Sequence, residues 1–143
     1  MSLVKRKDIA AEARTWVGVR YRHLGRNRDG IDCVGLILKV AEPFDLHTYP
    51  DKIAYSRDSR GHELLQPFKE HMDRVLLRDV GNGDVVMFKS GPYPHHCGIV
   101  VTDDSDGRRY IVHAEAHARK VSITAMEIMV DSAIMAFRFR GTE

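Results

Sequence analysis

The sequence predicts an α+β fold, with N-terminal helices packed on a mostly antiparallel sheet of five to six strands. Two observations carry this. Apolar residues recur at helical spacing through the first half of the chain, and short β-branched runs set off by turn signals fill the second. No linker-like stretch separates the halves. Helices and strands are therefore expected to share one core, in a single domain spanning residues 1–143.

The first helix is expected over residues 6 to 17, where Ile9, Ala13, Trp16 and Val17 share a face, with Gly18 closing it. Residues 18 to 31 hold Gly18, Gly25 and Gly30 among charged side chains and read as a loop. From Cys33 to Ala41 every residue but Lys39 is apolar or Gly. Such a run suits a buried strand or a buried helix. Asp32 as N-cap and Pro43 just past the end favour the helix. Residues 43 to 60 read as loop. Leu64, Leu65, Phe68 and Met72 mark a second amphipathic helix, with Pro67 signalling a kink or a later start. Strand composition begins after Gly81-Asn82-Gly83-Asp84. Strands are expected at Val85–Phe88, His96–Thr102, Arg109–Ala114, Val121–Thr124 and Ile134–Arg140.

Bulk charge excludes little but points away from nucleic acid. Arg and Lys number 22 against 20 Asp and Glu, a formal net charge of +2. Arg20, Arg22, Arg26 and Arg28 are offset by Asp29 and Asp32 and read as a solvated loop. The two cysteines, Cys33 and Cys97, do not make a disulfide framework. The N-terminal residues carry charges and no apolar h-region, so no Sec-type signal is expected there, and synthesis in the cytoplasm is. No apolar run reaches the roughly 18 residues of a membrane span.

Cys33 is the residue that asks for an explanation. In the first turn of a helix it faces unpaired backbone N–H groups and the positive end of the helix dipole. Both favour the thiolate, which is the nucleophile. The same N–H groups can hold the oxygen that turns negative when a thiolate attacks a carbonyl. Asp32 opposes a second negative charge unless its carboxylate is occupied as the cap. Taken alone, a cysteine in an apolar run is more often packing.

Two histidines change that balance. If Thr102 pairs with Gly107 across a four-residue loop, Asp103 to Asp106, then His96 stands directly opposite His113. A one-residue slip would put the rings on opposite faces. Cys33, His96 and His113 then fit the roles of nucleophile, base and orienting group. Cys97, next to His96, is expected to pack on the other face of its strand. A zinc site from Cys33, His95, Cys97, His113 and His117 is the weaker alternative. The spacing is irregular and neither CxxC nor HExxH occurs. No metal and no cofactor is expected.

These residues resemble those of the NlpC-type cysteine peptidases. GIDCVGLI resembles that family's cysteine motif, HCGIV its histidine strand, IVHA the strand of its third residue, and GDVVMF the strand preceding the histidine. GVRYRHLG, at Gly18 to Gly25, resembles the segment before the cysteine. IMAFRFRG and YSRDSRGHELL look like the phage-associated branch. The matches run from about residue 6 to residue 140. The resemblance implies a papain-like core and cleavage of bacterial cell-wall stem peptides, typically between D-glutamate and a diamino acid. It implies Cys33 as nucleophile, His96 as base and His113 as orienting residue. Tyr21 matches a tyrosine whose hydroxyl helps hold the oxyanion, and Asp32 the acidic residue of the cysteine motif. Val34 stands where many members carry Ser, and Cys97 where Val is common.

Three functions follow as expectations. The first is a peptidoglycan endopeptidase working through an acyl-enzyme, carried on a phage tail or phage-like particle that brings it to the wall. The second is a tail assembly protein with little hydrolytic activity, whose partners are phage tail proteins. The third is an amidase or acyltransferase using the same three residues.

Overall fold

A computed structural model describes residues 3–46, 62–90 and 93–143. The loop expected over residues 43 to 60 and the YSRDSRG segment lie almost wholly outside these residues.

Helix α1 spans Arg6–Arg14 and buries Ile9, Ala10 and Ala13. It stops earlier than its periodicity suggested. The N–H groups of Thr15, Trp16 and Val17 bond carbonyls three residues back, and the Thr15 hydroxyl bonds Glu12 O at 2.7 Å. That tightened turn folds Trp16 into the core and ends at Gly18, whose φ is +95°. The following loop contains a small hairpin that was not anticipated, β1 (Arg26–Asn27) paired with β2 (Gly30–Ile31). Two-residue strands carry no readable alternation.

Helix α2 spans Cys33–Ala41, as the cap and the proline suggested. Seven of its nine residues are buried, so it is the central element of the core. A short 3₁₀ turn, Glu42–Phe44, carries Pro43 beyond it. Helix α3, His62–His71, runs through Pro67 and brings the buried Phe68 ring to 6.0 Å from that of Phe137.

The main sheet has six strands: β3 (Asp73–Val75), β4 (Val85–Ser90), β5 (Tyr93–Thr102), β6 (Arg109–Glu115), β7 (Lys120–Ala125) and β8 (Ala133–Arg138). Their order is β3-β8-β4-β5-β6-β7, and every pairing is antiparallel. The α+β expectation therefore holds. Strand β3 was not foreseen, because Asp73 and Arg74 are exposed and three residues show no pattern. Its presence makes β8 an inner strand. A short helix α4, Met126–Met129, follows β7.

Strand alternation divides the interior in two. Met87, Cys97, Ile99, Val101 and Val112 pack with α1 and α2 in the main core. Val86, Phe88, Val100 and Ile111 form a smaller core on the other face, closed by Val80 and Met126. The start of β4 is pinned by Asp84, fully buried, which accepts from Arg138 Nε and Nη2 at 2.9 and 2.8 Å and from Gly81 N at 2.9 Å. Its backbone carbonyl accepts from Val100 N at 2.8 Å. This fork holds β4, β5 and β8 in fixed register behind the site.

Candidate active site

Cys33 opens α2 because Asp32 stops the chain from entering the helix any earlier. Asp32 is extended (φ −107°, ψ −176°), and its Oδ1 accepts from Gly35 N at 2.8 Å. The same oxygen takes Arg26 Nη1 at 2.9 Å, and Oδ2 takes Leu24 N at 2.8 Å. Only 2% of Asp32 is exposed. In the structure both oxygens bond the scaffold, and Asp32 fixes the helix start. Gly35 is part of that close approach. A Cβ there would stand 2.4 Å from Gly25 O and 2.8 Å from Arg26 Nη1.

The histidines meet, but not in the register expected. Thr102 pairs with Arg109, and Ile99 with Val112. Asp103 N bonds Arg108 O, so the four-residue turn is Asp104 to Gly107, one residue later than read from sequence. His96 is thus not directly opposite His113. The error is two residues rather than one, which preserves the face. One step past the last pair, Gly98 comes against His113. A Cβ on Gly98 would lie 3.0 Å from His113 Cβ and 2.4 Å from Ile111 Cγ2. The missing side chain leaves room for the diagonal contact. His96 Nε2 and His113 Nδ1 are 2.8 Å apart, with the rings edge to face and their centroids separated by 5.0 Å.

His113 Nε2 lies 2.9 Å from Thr124 Oγ1 on β7. Thr124 was not foreseen as a site residue. Its signal was available: Ser122 pairs with His113, and Thr124 is the next residue on the same face. The network has a defined polarity. A protonated His96 donates from both nitrogens. His113 Nδ1 must then accept, and its own proton must sit on Nε2 towards Thr124. His113 is suited to this because burial, then the nearby His96 charge, lower its pKa from 6.5 to about 4. It stays neutral at physiological pH. With His96 Nε2 engaged, Nδ1 is the nitrogen left for the Cys33 thiol.

The Cys33 thiol interacts with both the Cys97 thiol and the His96 ring. Its pKa is held well below the ordinary thiol value, first by the hydrogen bond from Cys97 and then by the hydrogen bond and charge of His96; burial and the Asp32 charge act against them. Cys97 does face away from His96 in its strand, as expected. That side is the one α2 covers, however. Cys97 Sγ lies 3.4 Å from the Cys33 carbonyl oxygen. Tyr21 is half-buried against the main core. Its backbone bridges Ile31, which sets it two residues from Cys33. Among the described residues, no group of three or more His, Cys, Asp or Glu side chains is placed to hold a metal ion.

Residues 18–138 match the sequence profile of the NlpC/P60 family. The chain belongs to the NlpC/P60 family. It is 30% identical over 118 residues to the murein DD-endopeptidase MepS/murein LD-carboxypeptidase of Escherichia coli strain K12, a match covering 79% of this chain and 53% of that protein. The chain thus spans about half the length of the curated relatives it matches. Among solved structures, the NlpC/p60 domain of the peptidoglycan hydrolase SagA superposes with a TM-score of 0.66 at 18% identity, covering 94% of this chain and 98% of that one. An N-acetylmuramoyl-L-alanine amidase from Bacteroides uniformis superposes with a TM-score of 0.62 at 14% identity, covering 94% and 98%. The NlpC/P60 fold is the papain-like α+β core expected from the motifs. No described helix is long and apolar enough to cross a membrane.

Proposed function

We propose that this NlpC/P60 chain is a cysteine hydrolase of peptidoglycan stem peptides, with Cys33 as nucleophile, His96 as base and His113 as orienting residue. One observation carries the reading: a hydrogen-bonded line from Thr124 through His113 to His96, whose ring acts on a thiol at the start of a helix. His96 takes the Cys33 proton, and the thiolate attacks an amide carbonyl. The N–H groups of Cys33 and Val34, at the open end of α2, are placed for the resulting oxyanion, because the cap uses Gly35 N and the helix uses Leu36 N. The imidazolium then protonates the leaving amine, giving an acyl-enzyme. Water deprotonated by His96 releases the acid and restores the thiol.

The bond proposed first is that between D-glutamate and the diamino acid. The MepS name supports a second reading, cleavage of a D,D cross-link. Delivery on a phage tail or phage-like particle belongs to the same proposal. It is supported by the likeness of Ile134 to Gly141 to that branch and is tested by co-purification with tail proteins. Mass analysis of muropeptides after incubation with wild type and Cys33→Ala distinguishes the bonds. Fragments ending in D-glutamate, separated cross-links and freed sugar chains are different masses. Equal digestion by both proteins would refute Cys33 as nucleophile.

A further inference from the structure

We propose that Cys97 is a positioning residue for the nucleophile: its buried thiol donates to Cys33 and favours the thiolate there. The inference rests on the reading of Cys33 as the reactive group. Cys97 is 0% exposed and follows His96 directly in β5. Alternation along the strand turns His96 and Cys97 to opposite sides. The α2 N-terminus lies where both can reach it, so Cys33 has one neighbour from each side. Cys97 Sγ donates to the Cys33 carbonyl oxygen at 3.4 Å, which sets the buried thiol beside the nucleophile.

A thiol carries a single proton. The Cys33 carbonyl already serves the helix ladder, as an acceptor for the N–H four residues on. It does not depend on Cys97. A thiolate on Cys33, half-buried against the main core, gains from a donor on that side. Rotation about the Cβ–Sγ bond of Cys97 swings the proton from the carbonyl to the thiolate. The two thiols thus share one negative charge, and the proton stays on the more buried member. In agreement, Cys97 is pushed up, chiefly by its bond to Cys33, while Cys33 is pulled down. The other titratable groups acting on Cys33 are His96 on the same strand and Asp32 at the helix cap. A valine at this position would offer no donor. This chain would therefore form its thiolate at lower pH than one carrying valine.

The test is the pH profile of Cys33 alkylation by iodoacetamide, read by peptide mass mapping on freshly reduced full-length protein. Wild type, Cys97→Val, Cys97→Ser and Cys97→Ala are compared, each with its melting temperature. The midpoint is expected to rise by roughly one pH unit in Val and Ala, about tenfold less thiolate at a pH below both midpoints. Serine keeps a donor and is expected to return most of the shift. A Val or Ala midpoint equal to wild type overturns the proposal. So does a Ser midpoint as high as that of Ala, since the residue would then act by packing alone. The readout needs no turnover. If midpoints shift as expected while muropeptides stay intact, the hydrolase reading fails and the role of Cys97 stands.

Discussion

His113 ties the site to the stability of the protein in acid. It is 3% exposed, and its pKa falls from 6.5 to about 4. At neutral pH both folded and unfolded chains hold a neutral imidazole, so nothing is lost. Between 6.5 and about 4 the unfolded chain binds a proton that the folded chain refuses, and stability falls as pH falls. Below about 4 both states are protonated and the loss levels off. At about 1.4 kcal/mol per pH unit, that window is worth at most about 3 kcal/mol. His113→Gln removes the titration. Urea unfolding at a series of pH values from 7.5 to 4 should show wild type losing about 3 kcal/mol more than the variant across that window. Parallel curves would refute the reasoning, since His113 would then take up its proton in the folded chain at the same pH as in the unfolded one.

Three further outcomes are expected. Gly98→Ala presses a methyl group on His113 Cβ and Ile111; it should cost about 1–3 kcal/mol by thermal unfolding and lower muropeptide release by at least about tenfold, because a displaced His113 no longer aligns His96. Thr124→Val keeps the shape of the side chain but removes the partner of His113 Nε2; unfolding free energy should fall by about 1 kcal/mol while hydrolysis drops about tenfold, and equal rates would remove Thr124 from the site. Asp84→Asn leaves Arg138 without its carboxylate; unfolding free energy should fall by about 3 kcal/mol, a value reduced because Arg138 is one-third exposed, and a loss under about 0.5 kcal/mol would show that the fork contributes little.

Much of this was legible in the sequence, and the rest was hidden for physical reasons. Asp32, the apolar run and Pro43 specify α2 locally, so its start at Cys33 could be read directly. Alternating β-branched runs revealed five strands, while β3 stayed hidden because its pairing with β8 is a property of the assembled sheet. The His96–His113 contact was anticipated from a register wrong by two residues. It survives because face depends on the parity of the error, not its size. Gly98 then converts an apparent cross-strand pair into a diagonal one. Asp32 was legible as the N-cap, but sequence does not show that Arg26 and Leu24 N share its carboxylate. Cys97 was placed on the correct side of its strand, but which side of a sheet a helix covers is settled only by tertiary packing.

The hairpin that carries both histidines also separates them from its own tip. From His96 to Thr102 the strand advances about 20 Å. The turn beyond it, Asp104 to Gly107, is exposed and closed by its own bonds, with Ser105 N donating to Asp103 Oδ1 and Gly107 N to Asp103 O. Provided that Asp103 and Arg108 stay paired, segments added between them lengthen the tip without moving the histidines. The hairpin therefore offers evolution and the protein engineer the same thing: a mounting point, insulated from the chemistry by its own length, where a new binding surface can be grown.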